Sequence, residues 1–145
     1  MGERIYLTGG YLHASRRRHW REGVVKGYRR TAHPIAFESI LDEHHFVGPF
    51  PAGIRSSHAS YYSEIAAGIG AADLVFAWLE GLDSYGREIT FYEIAFAKAL
   101  LKTVVVATRP KREWQSFTMH NVVHVTGASA KAALAKYLAG GSAAR

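Results

Sequence analysis

The stretch Ala72–Ala107, ADLVFAWLEGLDSYGREITFYEIAFAKALLKTVVVA, decides how this chain folds. Asp73 to Trp78 is a short apolar run without alternation, the pattern of a strand covered on both faces. Glu80-Gly81-Leu82-Asp83-Ser84-Tyr85-Gly86 reads as the connection that follows. Apolar residues at helical spacing predict a helix over Ile89–Leu101, with Glu93 in its first turn. Thr103–Thr108 is the next covered strand. A strand–helix–strand unit of this kind places its two strands parallel. Ligands in such sheets bind beyond the carboxyl ends of the strands, where the spacing puts Glu80, Asp83 and Glu93.

The pattern continues outward in both directions. Arg4–Thr8 predicts a first strand and Ser15–Arg29 a first helix. Ile35–Glu38 predicts a further strand. Leu41–Ser57 is broken by Gly48-Pro49, Pro51 and Gly53 and reads as a long excursion. A helix is expected over His58–Gly70 with Ser57 as its cap, and a fifth strand over Asn121–Val125. The terminal helix spans Ser129–Leu138, with Ser129 supplying a cap. Alternating strands and helices predict an α/β domain, a flavodoxin-like or Rossmann-like three-layer sandwich around a mostly parallel five-stranded sheet. One domain is expected over residues 1–139, followed by a flexible tail at 140–145.

Composition fits this picture. The 145 residues are 48% hydrophobic, enough for one core of ordinary size. Without cysteine there is neither a disulfide framework nor a thiolate metal site. No apolar run approaches a membrane span and no signal-peptide pattern opens the chain, so a cytoplasmic location with no membrane partner is expected. The eight histidines show no shared ligand spacing, and no resident metal is expected.

The net charge of +6 is concentrated locally. Arg16, Arg17, Arg18, His19, Arg21, Lys26, Arg29 and Arg30 crowd the segment after the first strand. Three readings stand together: a solvated helix face, a nucleotide-phosphate site where a helix N-terminus meets an arginine fork, or a nucleic-acid patch. No nucleic-acid module accompanies the cluster, which weighs against the third.

Glu93 is the odd residue of the deciding stretch. Its neighbours Phe91, Tyr92, Ile94, Ala95, Phe96 and Ala97 are uncharged and mostly apolar. A carboxyl in such surroundings is half-buried and pushed toward its protonated form unless a donor compensates. The alternative is an ordinary helix-start glutamate that favours the positive end of the dipole.

These residues resemble the signature of the nucleoside 2-deoxyribosyltransferase family. Its members carry a Leu-Asp-Gly-like turn after a strand, then Gly-Thr-x-x-Glu-Ile-Gly-x-Ala, then a Gly-Lys-Pro-Val-like strand. This chain has Leu79-Glu80-Gly81-Leu82-Asp83, then Thr90-Phe91-Tyr92-Glu93-Ile94-Ala95-Phe96-Ala97, then Lys102-Thr103-Val104-Val105-Val106. Ile5-Tyr6-Leu7-Thr8-Gly9-Gly10 is similar to the family's first strand and glycine turn, Trp20-Arg21 to a pair at its first helix, and His45-Phe46-Val47-Gly48-Pro49-Phe50 to its "GPF" segment. The likeness covers about three-quarters of the chain. It departs from the pattern at Ile89 and Ala95, where the family has glycine. It departs again at Ile65, where the family has an acid in the helix before the strand; here the nearest acid is Glu64.

The resemblance implies cleavage of the C1′–N bond of a nucleoside or nucleotide through an oxocarbenium-like sugar, with transfer to water or to a second base. Glu93 is then the nucleophile, as in retaining glycosidases. Asp83 is the leading candidate for the acid that protonates the leaving base, with Glu80 and Glu64 behind it. Tyr6 orients the nucleophile. Gly9, Gly10, Arg17 and Arg18 face the sugar or its phosphate, Phe50 offers a stacking surface, and His58 contacts the ligand. No cofactor is implied. The family forms dimers in which the partner closes the pocket. Trp114–Asn121 is rich in interface-type residues, so a homo-oligomer is expected, with Met119 or Asn121 reaching the neighbour's site. The rival from another class is a module on the same fold that binds a nucleotide or NAD-like ligand without turnover.

Overall fold

The computed structural model describes residues 4–9, 20, 24, 36–38, 45–47, 58–81, 84–110, 121–140 and 143–144. They form an α/β fold with strands β1 (Arg4–Gly9), β2 (Ala36–Glu38), β3 (His45–Val47), β4 (Leu74–Trp78), β5 (Thr103–Thr108), β6 (Val123–Thr126) and β7 (Ala143–Ala144). The helices are α1 (His58–Ala71), α2 (Ser84–Ala99) and α3 (Ala130–Leu138). The sheet order is β2-β3-β1-β4-β5-β6-β7. The pairs β1 with β3, β1 with β4, β4 with β5 and β5 with β6 are parallel. The outer pairs, β2 with β3 and β6 with β7, are antiparallel.

Among the described residues one sheet holds seven strands, where five are expected. The expected strand at Ile35–Glu38 is present as Ala36–Glu38 at the edge of the sheet, and its antiparallel partner His45–Val47 is the addition, within what reads in sequence as a long broken excursion. Three residues are too few to show a hydrophobic period. Ala143–Ala144, in the segment expected to be a flexible tail, pairs with Val123–His124 at the opposite edge. The expected first helix, Ser15–Arg29, lies outside the described residues apart from Trp20 and Val24.

Alternation along each strand sends side chains to two cores. On one face Ile65 and Ile69 of α1, with Ile94 and Ala97 of α2, pack against Tyr6, Val75, Ala77, Val104 and Val106. On the other, Ala130, Ala133 and Leu134 of α3 meet Ile5, Leu7, Phe76, Trp78 and Val105, with Trp20 and Val24 beside them. Trp78 is 4% exposed and belongs to this second core.

Helix ends explain where the elements stop. The Ser129 side chain accepts from the amide of Ala132 at 3.1 Å and starts α3. At the end of α2 the amide of Leu101 donates to the carbonyl of Lys98, and that of Lys102 to the carbonyl of Ala97. This double reach closes a helix through one left-handed residue. Here that residue is Leu101, with φ 59° and 92% exposure. A leucine in that conformation is strained, where glycine is not. Leu101→Gly is expected to raise stability by about 1 kcal/mol, seen as a higher urea midpoint with an unchanged slope. A lower midpoint would show that the Leu101 side chain makes stabilising contacts that outweigh the strain.

At the amino edge of the sheet, the amide of Arg4 donates to Asp73 Oδ2 at 2.9 Å and its guanidinium lies 3.5 Å from Oδ1. The Arg4 amide, and then its guanidinium, hold the Asp73 carboxyl below its ordinary 3.8 despite some desolvation. A depressed carboxylate contributes stability above its unfolded value and loses it as pH falls through the folded value. The stability gap between the parent and Asp73→Asn is therefore expected to be constant at neutral pH. It should close below 3.8, and it should be small because the pair is exposed. A gap that widens in acid would contradict this assignment.

Candidate functional site

Chain direction places the candidate site. From β1 the chain crosses to β3 on one side of the sheet and then to β4 on the other. The parallel strands therefore diverge around the carboxyl ends of β1 and β4, the place where ligands lodge in sheets of this type. Gly9 and Trp78 are paired in register there. Helices α1 and α2 both run back toward the amino edge, so His58 and Ser84 lie at the carboxyl edge.

Helix α2 begins at Ser84, five residues before the expected start. Arg87 and Glu88, which read as loop, are exposed residues of its first turns. Glu93 is consequently not in the first turn, and the helix-start explanation of that glutamate is corrected: α2 has no acid in its first turn. Glu93 lies about 13 Å along the axis from Ser84, is 1% exposed, and faces the sheet. The dipole of a helix end acts within its terminal turn only, so another reason is needed for a carboxyl at this depth.

The hydroxyl of Thr8, itself 0% exposed, donates to Glu93 Oε1 at 3.1 Å. This contact joins the end of β1 to the middle of α2. Tyr6, two residues earlier on β1, points to the same face and is 1% exposed. One helical turn before Glu93, Thr90 is 0% exposed, and its hydroxyl has no hydrogen-bond partner among the described residues. Thr8 and Glu93, with Thr90 one turn along α2 on the same side, make a buried polar seat under the carboxyl edge. Sequence reasoning missed Thr8 and Thr90 as site residues. Thr8 ends an apolar strand and looks like ordinary β-sheet threonine; only the helix register pairs it with Glu93.

Gly9 is a glycine for a different reason than an open ligand turn. A Cβ there would lie 2.7 Å from the Trp20 ring and 2.7 Å from the carbonyl oxygen of Trp78, and φ is +155°. The indole of Trp20 occupies that side of the strand end. Glu80, half-buried after β4, accepts from the amide of Arg109 at 3.4 Å, and the amide of Leu79 donates to Ala107 at 3.0 Å. Glu80 therefore ties the ends of β4 and β5 together at the edge of the site.

The remaining expected residues divide by place. His58 opens α1 at the carboxyl edge and Glu64 lies nearly two turns along it. Ile65, at the position where the family carries an acid, is 0% exposed and packs in the core. Ile89 and Ala95, which stand where the resemblance has glycine, are buried and exposed respectively. Asn121 lies just before β6, at the amino edge, on the opposite end of the sheet from Gly9. It has φ 57°, a conformation asparagine tolerates, which is why β6 starts at Val123 and not at the expected Asn121. Gly10, Arg17, Arg18, Phe50, Asp83 and Met119 lie outside the described residues.

Among the described residues no three histidine or acidic side chains gather as a metal site. No described helix is long and apolar enough to cross a membrane. Models of protein families and curated proteins yield no match to this chain.

Proposed function

We propose that this protein cleaves the N-glycosidic bond of a nucleoside or nucleotide, with Glu93 as nucleophile, on a flavodoxin-like winding of the sheet. The observation that carries the proposal is a carboxyl at 1% exposure, addressed by the Thr8 hydroxyl, beneath the point where the parallel strands diverge. Glu93 Oε attacks C1′ from the face opposite the base. The C1′–N bond breaks, and the base leaves with the bonding pair and takes a proton from an acid, Asp83 in this proposal. Water or a second base then attacks C1′, the ester bond breaks, and the Glu93 carboxylate is restored. Tyr6 and Thr8 hold the carboxyl in place. The arginines at 16–18 and 21 bind a 5′-phosphate where the substrate carries one, and a second copy of the chain supplies Met119 or Asn121.

A second reading is favoured by one observation: at 1% exposure Glu93 is reached only when the residues above it open. A module that holds a nucleotide or NAD-like ligand at the carboxyl edge without turnover needs no such opening. Incubation with nucleosides, their 5′-monophosphates and NAD separates the two. Free base detected by chromatography supports cleavage. A rise in melting temperature without free base supports the binding module, and neither signal with any ligand contradicts both.

A further inference from the structure

Thr90 has no structural reason to carry a hydroxyl. It is fully buried on the sheet-facing stripe of α2, with Ile94 and Ala97 following at helical spacing. Valine has the same shape. A buried hydroxyl with no partner weakens a fold, whereas an apolar isostere does not. The conformational preferences of a helix do not favour threonine over valine enough to offset this. Among the described residues nothing takes up this hydroxyl, which leaves it available to a bound molecule.

Its position narrows what that is. Helix α2 enters at the carboxyl edge, so Thr90 lies one turn nearer the edge than Glu93, on the same side of the helix. A molecule approaching Glu93 from that edge passes Thr90. Among the described residues the seat of Thr8, Thr90 and Glu93 offers one carboxyl and two hydroxyls. Such a set suits a neutral group that both donates and accepts, a sugar hydroxyl, and does not suit a phosphate.

We infer that Thr90 is a specificity-determining residue that hydrogen-bonds a hydroxyl on the underside of the sugar ring. The inference rests on the proposed cleavage at Glu93. In a β-nucleoside the base projects from one face of the ring and the 2′- and 3′-hydroxyls from the other. A carboxylate that attacks C1′ opposite the base approaches from the hydroxyl face. A side chain one helical turn from that carboxylate is within reach of the neighbouring ring hydroxyls.

The test is calorimetric affinity in the full-length Glu93→Gln protein, which holds ligand without turnover. The probes are adenosine and cytidine with their 2′-deoxy and 3′-deoxy forms. With Thr90 in place, removal of one of the two hydroxyls should weaken binding about tenfold. When Thr90→Val is added that penalty should vanish, with the deoxy ligand bound as well as before, and Thr90→Ser should retain it. An equal penalty with and without Thr90→Val, or no penalty in either protein, overturns the inference, including the case of a hydroxyl that holds only an ordered water. If these nucleosides bind to none of the proteins and the wild type releases no base, the cleavage proposal fails as well. Release by the wild type with unchanged discrimination in Thr90→Val fails this inference alone.

Discussion

Glu93→Gln is expected to lower base release by several orders of magnitude while the protein stays folded. The amide keeps the shape of the side chain and still accepts from Thr8, but it cannot form a glycosyl ester. The stability side of the same residue is separable. Glu93→Ala leaves the Thr8 hydroxyl buried without its partner and opens a cavity, so it should destabilise by about 2–4 kcal/mol. The double variant Thr8→Val/Glu93→Met removes both polar partners and refills the space. It should be as stable as the parent, or more so, and inactive. Natural sites that retain costly buried polar groups trade stability for activity. Near-normal turnover in folded Glu93→Gln would remove Glu93 from the mechanism. A double variant much less stable than either single one would show that the carboxyl is there for the fold.

Gly9→Ala is the second large effect, and it acts on stability. The new methyl would meet the Trp20 ring and the Trp78 carbonyl at 2.7 Å each, and the φ of +155° is itself unfavourable for alanine. Neither obstacle is the loose end of a flexible chain, since one is an aromatic ring packed against the core and the other is strand backbone. Overpacking of this kind costs about 2–3 kcal/mol, or roughly a 5–10 °C fall in melting temperature for a chain of this size. Because Trp20 must move to admit the methyl, tryptophan fluorescence should shift in the folded variant. An unchanged melting temperature would mean that Trp20 does not sit on Gly9.

The covered strands were legible in the sequence because residues buried on both faces leave unbroken apolar runs. Leu74–Trp78 and Thr103–Thr108 fall within a residue of where those runs place them. Helix α3 was legible to its cap, since Ser129 is a strong cap type ahead of a periodic segment. The start of α2 was not. Gly86 reads as a breaker and Arg87-Glu88 as loop, yet both charged residues lie on the exposed side of the first turns, where polarity says nothing about helix or coil. That error of five residues moved Glu93 from a helix mouth to a helix middle and hid its contact with Thr8. The far end of α2 was misread for another reason. Leu101 belongs to the left-handed closing turn, and leucine carries no signal for that conformation. Strand β2 was legible as Ile35–Glu38, whereas β3 and β7 are three and two residues long and are defined by their partners in the sheet, not by a pattern of their own.

The chemistry was partly legible for the same reason. An acid among apolar neighbours stands out at Glu93, whereas a threonine in a strand or helix does not, so Thr8 and Thr90 emerge only once β1 and α2 are brought together. At Gly9 the side on which a Cβ would project is occupied by the Trp20 ring, a neighbour the sequence alone does not reveal.

The most direct test of the central claim is to trap the sugar on the protein. A nucleoside with fluorine at C2′ slows breakdown of a glycosyl ester, because the electron-withdrawing group disfavours the oxocarbenium-like transition state. After incubation with such a nucleoside, mass spectrometry of the digested protein should find the fluorosugar on the peptide that contains Glu93, with one equivalent of free base released. Base release with no adduct on that peptide, or an adduct on another residue, would contradict the assignment of Glu93 as nucleophile.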